Sequence, residues 1–180
     1  MGRPSLDTIL VLAAVGFALV GIALVSVGVL FQQAYPWITF KKGVVLPLPN
    51  PKPWSFIFYE ISPFLFQYQF EEEEIHVEWF YKTDASMVGM MCASGVITSI
   101  IGVLMSRWKL LLLGGSLSMF TMIAFGTCLP GLYPNISWSI GAQYTFYGSI
   151  LILVASAVSY HRHRKKYDKI RHIKLIESWR

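Results

Sequence analysis

The chain is 180 residues long, 54% hydrophobic and only 14% charged, where a soluble domain carries about 25% charged residues. The charges vanish over long stretches and then cluster, a pattern that excludes an ordinary soluble core and points to a membrane protein. The net charge of +5 comes from the C-terminal tail, and no RNA- or DNA-binding motif accompanies it, so no nucleic-acid partner is expected.

From Thr8 to Ala34 no side chain is charged, and Ile9 to Phe31 is almost wholly apolar. A bilayer core about 30 Å thick takes about 20 such residues as a helix. The run outlasts the roughly 7–15 apolar residues of a signal peptide. It ends in Phe31-Gln32-Gln33-Ala34-Tyr35-Pro36, which is no small-x-small cleavage site, so a retained signal-anchor is expected. Three further uncharged stretches follow, Ala85 to Ser106, Leu110 to about Leu129 and about Trp138 to Tyr160. Gly114 and Gly115 interrupt the third. A soluble domain of this size cannot cover four all-round apolar helices. The predicted fold is therefore an all-α integral membrane protein, a four-transmembrane-helix bundle. Its spans are about 8–31, 85–106, 110–129 and 138–160, forming one membrane domain over 1–160 with a tail over 161–180.

The first loop, Gln32 to Asp84, holds fourteen aromatic residues and prolines at 36, 47, 49, 51, 53 and 63. In Phe64-Leu65-Phe66-Gln67-Tyr68-Gln69-Phe70 the aromatics take every second place, and Glu74 to Tyr81 alternates likewise. Period two with aromatic enrichment reads as strand. Trp37 to Leu46, with a turn at Lys42-Gly43, and Ser55 to Ile61 are weaker candidates. Pro47 to Pro53 reads as an extended connector. A small antiparallel β-sheet of three or four strands is expected in this first extracytoplasmic loop. On a strand Glu74, His76 and Glu78 share a face and form a weak candidate metal cluster; the commoner role of such a charge run is a solvated edge. Asn135-Ile136-Ser137 fits a glycosylation sequon, with Asn135 the acceptor.

Lys and Arg are retained on the cytoplasmic side during insertion. The turn Ser106-Arg107-Trp108-Lys109 and the tail, with eight Lys or Arg from Arg162 to Arg180, belong there by that rule. An even number of spans puts Arg3 and the N-terminus there too. The plasma membrane is the expected location. His161-Arg162-His163-Arg164-Lys165-Lys166 directly follows the fourth span. There Arg162, Arg164, Lys165 and Lys166 are expected to meet anionic lipid head groups. Beyond them Tyr167, Ile170, Ile173, Ile176 and Trp179 recur at helical spacing, an amphipathic tail suited to a membrane surface or a partner.

No Asp, Glu, Lys, Arg or His lies inside a span. Proton relays and ion pathways need such groups, and membrane haems usually take axial His or Met. The six Met residues near the spans read as packing, so no cofactor and no enzymatic activity are expected. Small residues recur every seven positions, as Ala14, Gly21 and Gly28, as Gly95 and Gly102, and as Gly141, Gly148 and Ala155. That spacing keeps close-packing seams on one face of each helix, for the chain's own bundle or for a partner. Cys92 and Cys128 sit at different depths, which disfavours a disulfide. One short inner turn, a sheet-like first outer loop and a small second one together resemble, in outline, claudin-like tetraspan proteins. The loop has neither the Gly-Leu-Trp motif nor the Cys pair of that family, so the resemblance carries over no site residue.

Three functions fit these features. The first is a non-catalytic membrane subunit that packs with other integral membrane proteins through its helix seams, outer loop and basic tail. The second is an accessory subunit of a respiratory or redox enzyme, lining a quinone or lipid pocket. The third is a self-associating adhesion or assembly protein.

Overall fold

The computed structural model describes residues 5–40, 56–63, 65–70, 76–79, 84–128 and 136–178. Four helices carry most of them, α1 (Leu6–Leu30), α2 (Asp84–Leu104), α3 (Trp108–Cys128) and α4 (Ile140–Ser178). All four are long and apolar enough to cross a membrane, as in a multi-pass helical membrane protein. Even in the most enclosed span only 44% of the apolar window is buried inside the protein. Leu12, Leu19, Ile97, Ile101, Phe120 and Ile123 stay exposed, an apolar girdle that only lipid or another apolar surface can cover.

Helix α1 starts at Ser5, whose Oγ accepts the Thr8 N–H at 3.2 Å, with Asp7 in the first turn. Both satisfy the positive end of a helix. Helix α4 does not stop where the lipid-soluble sequence stops at Tyr160. It runs unbroken to Ser178 over 39 residues, about 58 Å at the usual rise of ~1.5 Å per residue.

The recurring small residues face other helices of the same chain. Helix α1 packs chiefly on α4, α2 on α3, and α3 on α4, with a smaller contact between α1 and α2. A Cβ on Gly21 would stand 2.6 Å from the Gly148 carbonyl oxygen, and one on Gly148 would stand 2.6 Å from that of Gly21. One heptad along, a Cβ on Gly28 would meet the Gly141 oxygen at 2.6 Å, while one on Gly141 would run into the Tyr35 and Pro36 carbonyls that precede Trp37. Gly95 and Gly114 form the same kind of reciprocal contact between α2 and α3. Gly115, on the next face, lies against Leu153 and Ile152 of α4. The two glycines that interrupt the third apolar run are thus contact points in a continuous helix. In lipid, where no hydrophobic force drives helices together, such close approach supplies the dispersion contact.

Among the described residues the buried polar side chains are Gln32, Ser62, Ser99, Ser118, Thr121, Thr145, Ser149 and Ser156, all neutral. Ser99, Thr121, Thr145 and Ser149 donate to carbonyls four residues back in their own helices at 2.7–3.0 Å. Ser156 of α4 donates across to the Trp108 carbonyl of α3 at 2.9 Å. Cys92 is a buried free thiol; Cys128 closes α3.

At the other end of the bundle lie short strands, β1 (Ile38–Phe40), β2 (Phe56–Ile61), β3 (Leu65–Phe70), β4 (His76–Trp79) and β5 (Ile136–Trp138). They pair antiparallel in the order β4-β3-β2-β1-β5, with Ile38 opposite both Ile61 and Trp138. The Lys42-Gly43 turn and the proline connector lie outside the described residues. Strand β5 comes from the second loop, for which the sequence predicts no strand. It takes Trp138, expected as the first residue of the fourth span, because an aromatic residue at the membrane boundary suits a strand edge as well as a helix start.

Trp37 locks this end to the bundle. It is fully buried, its Nε1 donates to the Gly28 carbonyl at 2.7 Å, and its ring meets Phe125 of α3 edge-on, centroids 5.1 Å apart. Its backbone N–H donates to Ser62 Oγ at 3.1 Å and its carbonyl accepts the Ser139 N–H at 2.9 Å. Gly28 and Val29 sit in the last turn of α1, whose carbonyls lack intrahelical donors. Trp37 serves Gly28, and Gln32 Nε2 serves Val29 at 2.8 Å.

Candidate functional site

The end of the bundle away from the strands contains a half-open cleft of about 450 Å³, within the roughly 300–1,000 Å³ typical of small-molecule sites. Its deep wall is one stripe of α1, Leu10, Val11, Ala14, Val15 and Ala18, residues that share a helix face by their spacing. Val103 of α2 and Leu111 of α3 face that stripe. Ala14 and Ala18 present only methyl groups on this wall, and Gly102 lines the cleft where α2 comes close against Leu111 of α3. From Leu10 to Ala18 the stripe spans about 12 Å along the helix.

The mouth is polar and basic. The turn from α2 to α3 contributes Ser106 and Arg107, α3 contributes Trp108 and Lys109, and α4 contributes Ser159, Arg162 and His163, which share a face at i, i+3 and i+4. The turn closes α2 with paired bonds, Arg107 N–H to the Gly102 carbonyl at 2.9 Å and Ser106 N–H to that of Val103 at 3.1 Å. This is the Schellman arrangement, which needs a left-handed residue just past the helix. Ser106 fills that position with φ of 50°, where glycine would be unstrained. The turn is also fastened sideways: the Trp108 ring packs against Tyr160 with centroids 4.8 Å apart and planes tilted by 60°, and Ser156 holds the Trp108 carbonyl. Lys109 Nζ lies 5.8 Å from the Trp108 ring centroid. Helix α3 begins at this mouth, so its positive end adds to the side-chain charge. Among the described residues no acidic side chain lines the cleft.

Of the expected head-group contacts, Arg162 lines the cleft. Arg164 and Lys165 are exposed on α4 without lining it, and Lys166 lies in α4. Arg107 and Lys109, which by sequence carry only an orientation signal, and His163, by sequence a tail residue, also line the cleft. The tight charged turn between two apolar spans was the signal that could have placed them at a site. Glu74 and Asn135 lie outside the described residues. His76 and Glu78 occupy alternate positions of β4, opposite Tyr68 and Phe66 of β3. Among the described residues no three His, Cys, Asp or Glu side chains gather to hold a metal. No protein-family model matches the chain, and no curated protein matches its sequence.

Proposed function

We propose that the chain is a non-catalytic subunit of a larger membrane protein complex, engaging other integral membrane proteins through its strand-bearing end and its basic tail. The observation that carries this reading is the neutrality of the interior. Every buried polar side chain among the described residues is a Ser, a Thr or Gln32, and most are bonded to helix carbonyls, the chemistry of packing rather than turnover. The small-residue seams are occupied by the chain's own helices, which leaves the two ends as its distinctive surfaces. The basic end faces the cytoplasm by the retention of Lys and Arg, the aromatic loop faces outward, and the plasma membrane is the proposed location. The small antiparallel sheet of the outer loop is the proposed contact face there, its short edge strand β4 available to pair with an extended segment of a partner. Acidic lipids meet the tail.

The test is photo-crosslinking in native membranes from a reactive residue placed at Ala34, at Tyr167 or at mid-span Leu19, all exposed. Crosslinks to other membrane proteins are expected from the two end positions. Crosslinks only to lipid from both ends would overturn the reading, and crosslinks only to other copies of this chain would favour self-association.

The cleft favours one alternative, an accessory subunit of a redox enzyme holding a quinone or lipid. A haem, flavin or metal absorbance in the co-purified complex is the expected mark of that alternative; a spectrum without one would dismiss it.

A further inference from the structure

We infer that the cleft between α1, the α2–α3 turn and α4 holds one acidic glycerophospholipid, its phosphate at the basic mouth and one acyl chain along the α1 stripe. This is a defined site, distinct from the diffuse attraction of the tail to an acidic surface. Two properties of the cleft select the occupant. The wall from Leu10 to Ala18 is wholly apolar and lies within a membrane-spanning helix, so the buried part of the ligand is a hydrocarbon chain rather than peptide, whose backbone would need donors and acceptors there. The mouth gathers Arg107, Lys109 and Arg162 from three separate elements, and among the described residues no acid lines it and none of the three has an ion-pair partner. Three uncompensated cations at a helix-start, with the Ser106 and Ser159 hydroxyls and His163 beside them, match a phosphate ester. Basic pockets between transmembrane helices bind such head groups. A neutral quinone would leave that charge unanswered.

The acyl chain enters between α1 and α2, whose contact is smaller than that of α1 with α4, α2 with α3 or α3 with α4. Contacts of Trp108 with Tyr160 and Ser156 hold the turn that carries Arg107 and Lys109, so little backbone freedom is lost on binding.

The experiment reconstitutes the full chain in phosphatidylcholine vesicles containing phosphatidic acid, extracts it in mild detergent and counts retained lipid by native mass spectrometry. One phosphatidic acid per chain is expected for the wild type. The Arg107→Gln/Arg162→Gln variant is expected to weaken retention about 25-fold (about 2 kcal/mol). The Arg164→Gln/Lys165→Gln variant loses the same charge from exposed positions outside the cleft and is expected to retain the lipid. Ala14→Phe and Val11→Phe fill the stripe while leaving every charge in place, and whichever keeps the wild-type melting temperature is expected to release the lipid. Equal loss in the two charge variants would reduce the effect to the tail's general attraction and overturn the site. Full retention in Arg107→Gln/Arg162→Gln, retention in a folded filled variant, or displacement of the lipid by inorganic phosphate alone would overturn it too.

Discussion

Trp37 is the residue whose removal tells most about how the two ends of the protein are joined. Its indole N–H bonds a carbonyl at the end of α1 at 2.7 Å, and that carbonyl has no donor in its own helix because the chain leaves the helical path at Phe31. Trp37→Phe keeps a ring against Phe125 but orphans the Gly28 oxygen, at a cost of about 1–3 kcal/mol for a buried unsatisfied acceptor. Trp37→Ala orphans the same oxygen and also empties a site with no solvent exposure, where truncating a large aromatic costs about 3–5 kcal/mol. The alanine variant should therefore lose at least twice as much as the phenylalanine variant. Unfolding by stepwise addition of a denaturing detergent to protein in mild micelles measures both losses, and amide exchange locates them. Faster exchange is expected at residues 36–40 and the last turn of α1, with the Ser106–Trp108 turn unchanged. If Trp37→Phe matches the wild type within about 0.5 kcal/mol, the scatter of substitutions that touch nothing, the indole bond does not hold the strand-bearing end. Equal acceleration at both ends would likewise refute a local lock.

The α1–α4 seam predicts a contrast between two glycines of one helix. Gly21→Ala drives a Cβ to 2.6 Å from a backbone oxygen and should cost about 1–3 kcal/mol. Gly16→Ala meets nothing within 4 Å and should be neutral or slightly stabilising in the same unfolding titration. Ser106→Gly relieves a left-handed backbone at φ of 50° and should stabilise the protein by about 1 kcal/mol, read as a higher melting temperature in detergent. Ser156→Ala removes the 2.9 Å tie to the Trp108 carbonyl, costing about 1 kcal/mol; increased Trp108 mobility in fluorescence anisotropy is the local sign.

The spans were legible because lipid imposes the simplest rule in protein structure, a long run without charge. The seven-residue spacing of Gly21 and Gly28, and of Gly141 and Gly148, was legible as a seam, but not which helices it joined, since a small residue shows only that something comes close. Tyr160 marked the edge of the apolar sequence and not the end of α4, because basic residues sustain a helix in water as well as Leu and Val do in lipid. Trp37 was one aromatic among fourteen in its loop, and alternation does not tell which ring turns into the bundle. The cleft was hidden because its lining comes from α1, α2, α3 and α4 together, and Arg107, Lys109 and Arg162 meet only once those helices pack. Sequence placed Arg162 at lipid but gave no reason to set Arg107 beside it.

The central proposal is that this chain works as a packing subunit among other membrane proteins. Its most direct test is the mass of the protein released from native membranes in mild detergent at its natural abundance, measured with its bound proteins intact. The expected result is a heteromeric assembly of fixed stoichiometry, well above the 20.4 kDa of the chain alone. A species of that single-chain mass, carrying lipid and no other protein, would contradict it.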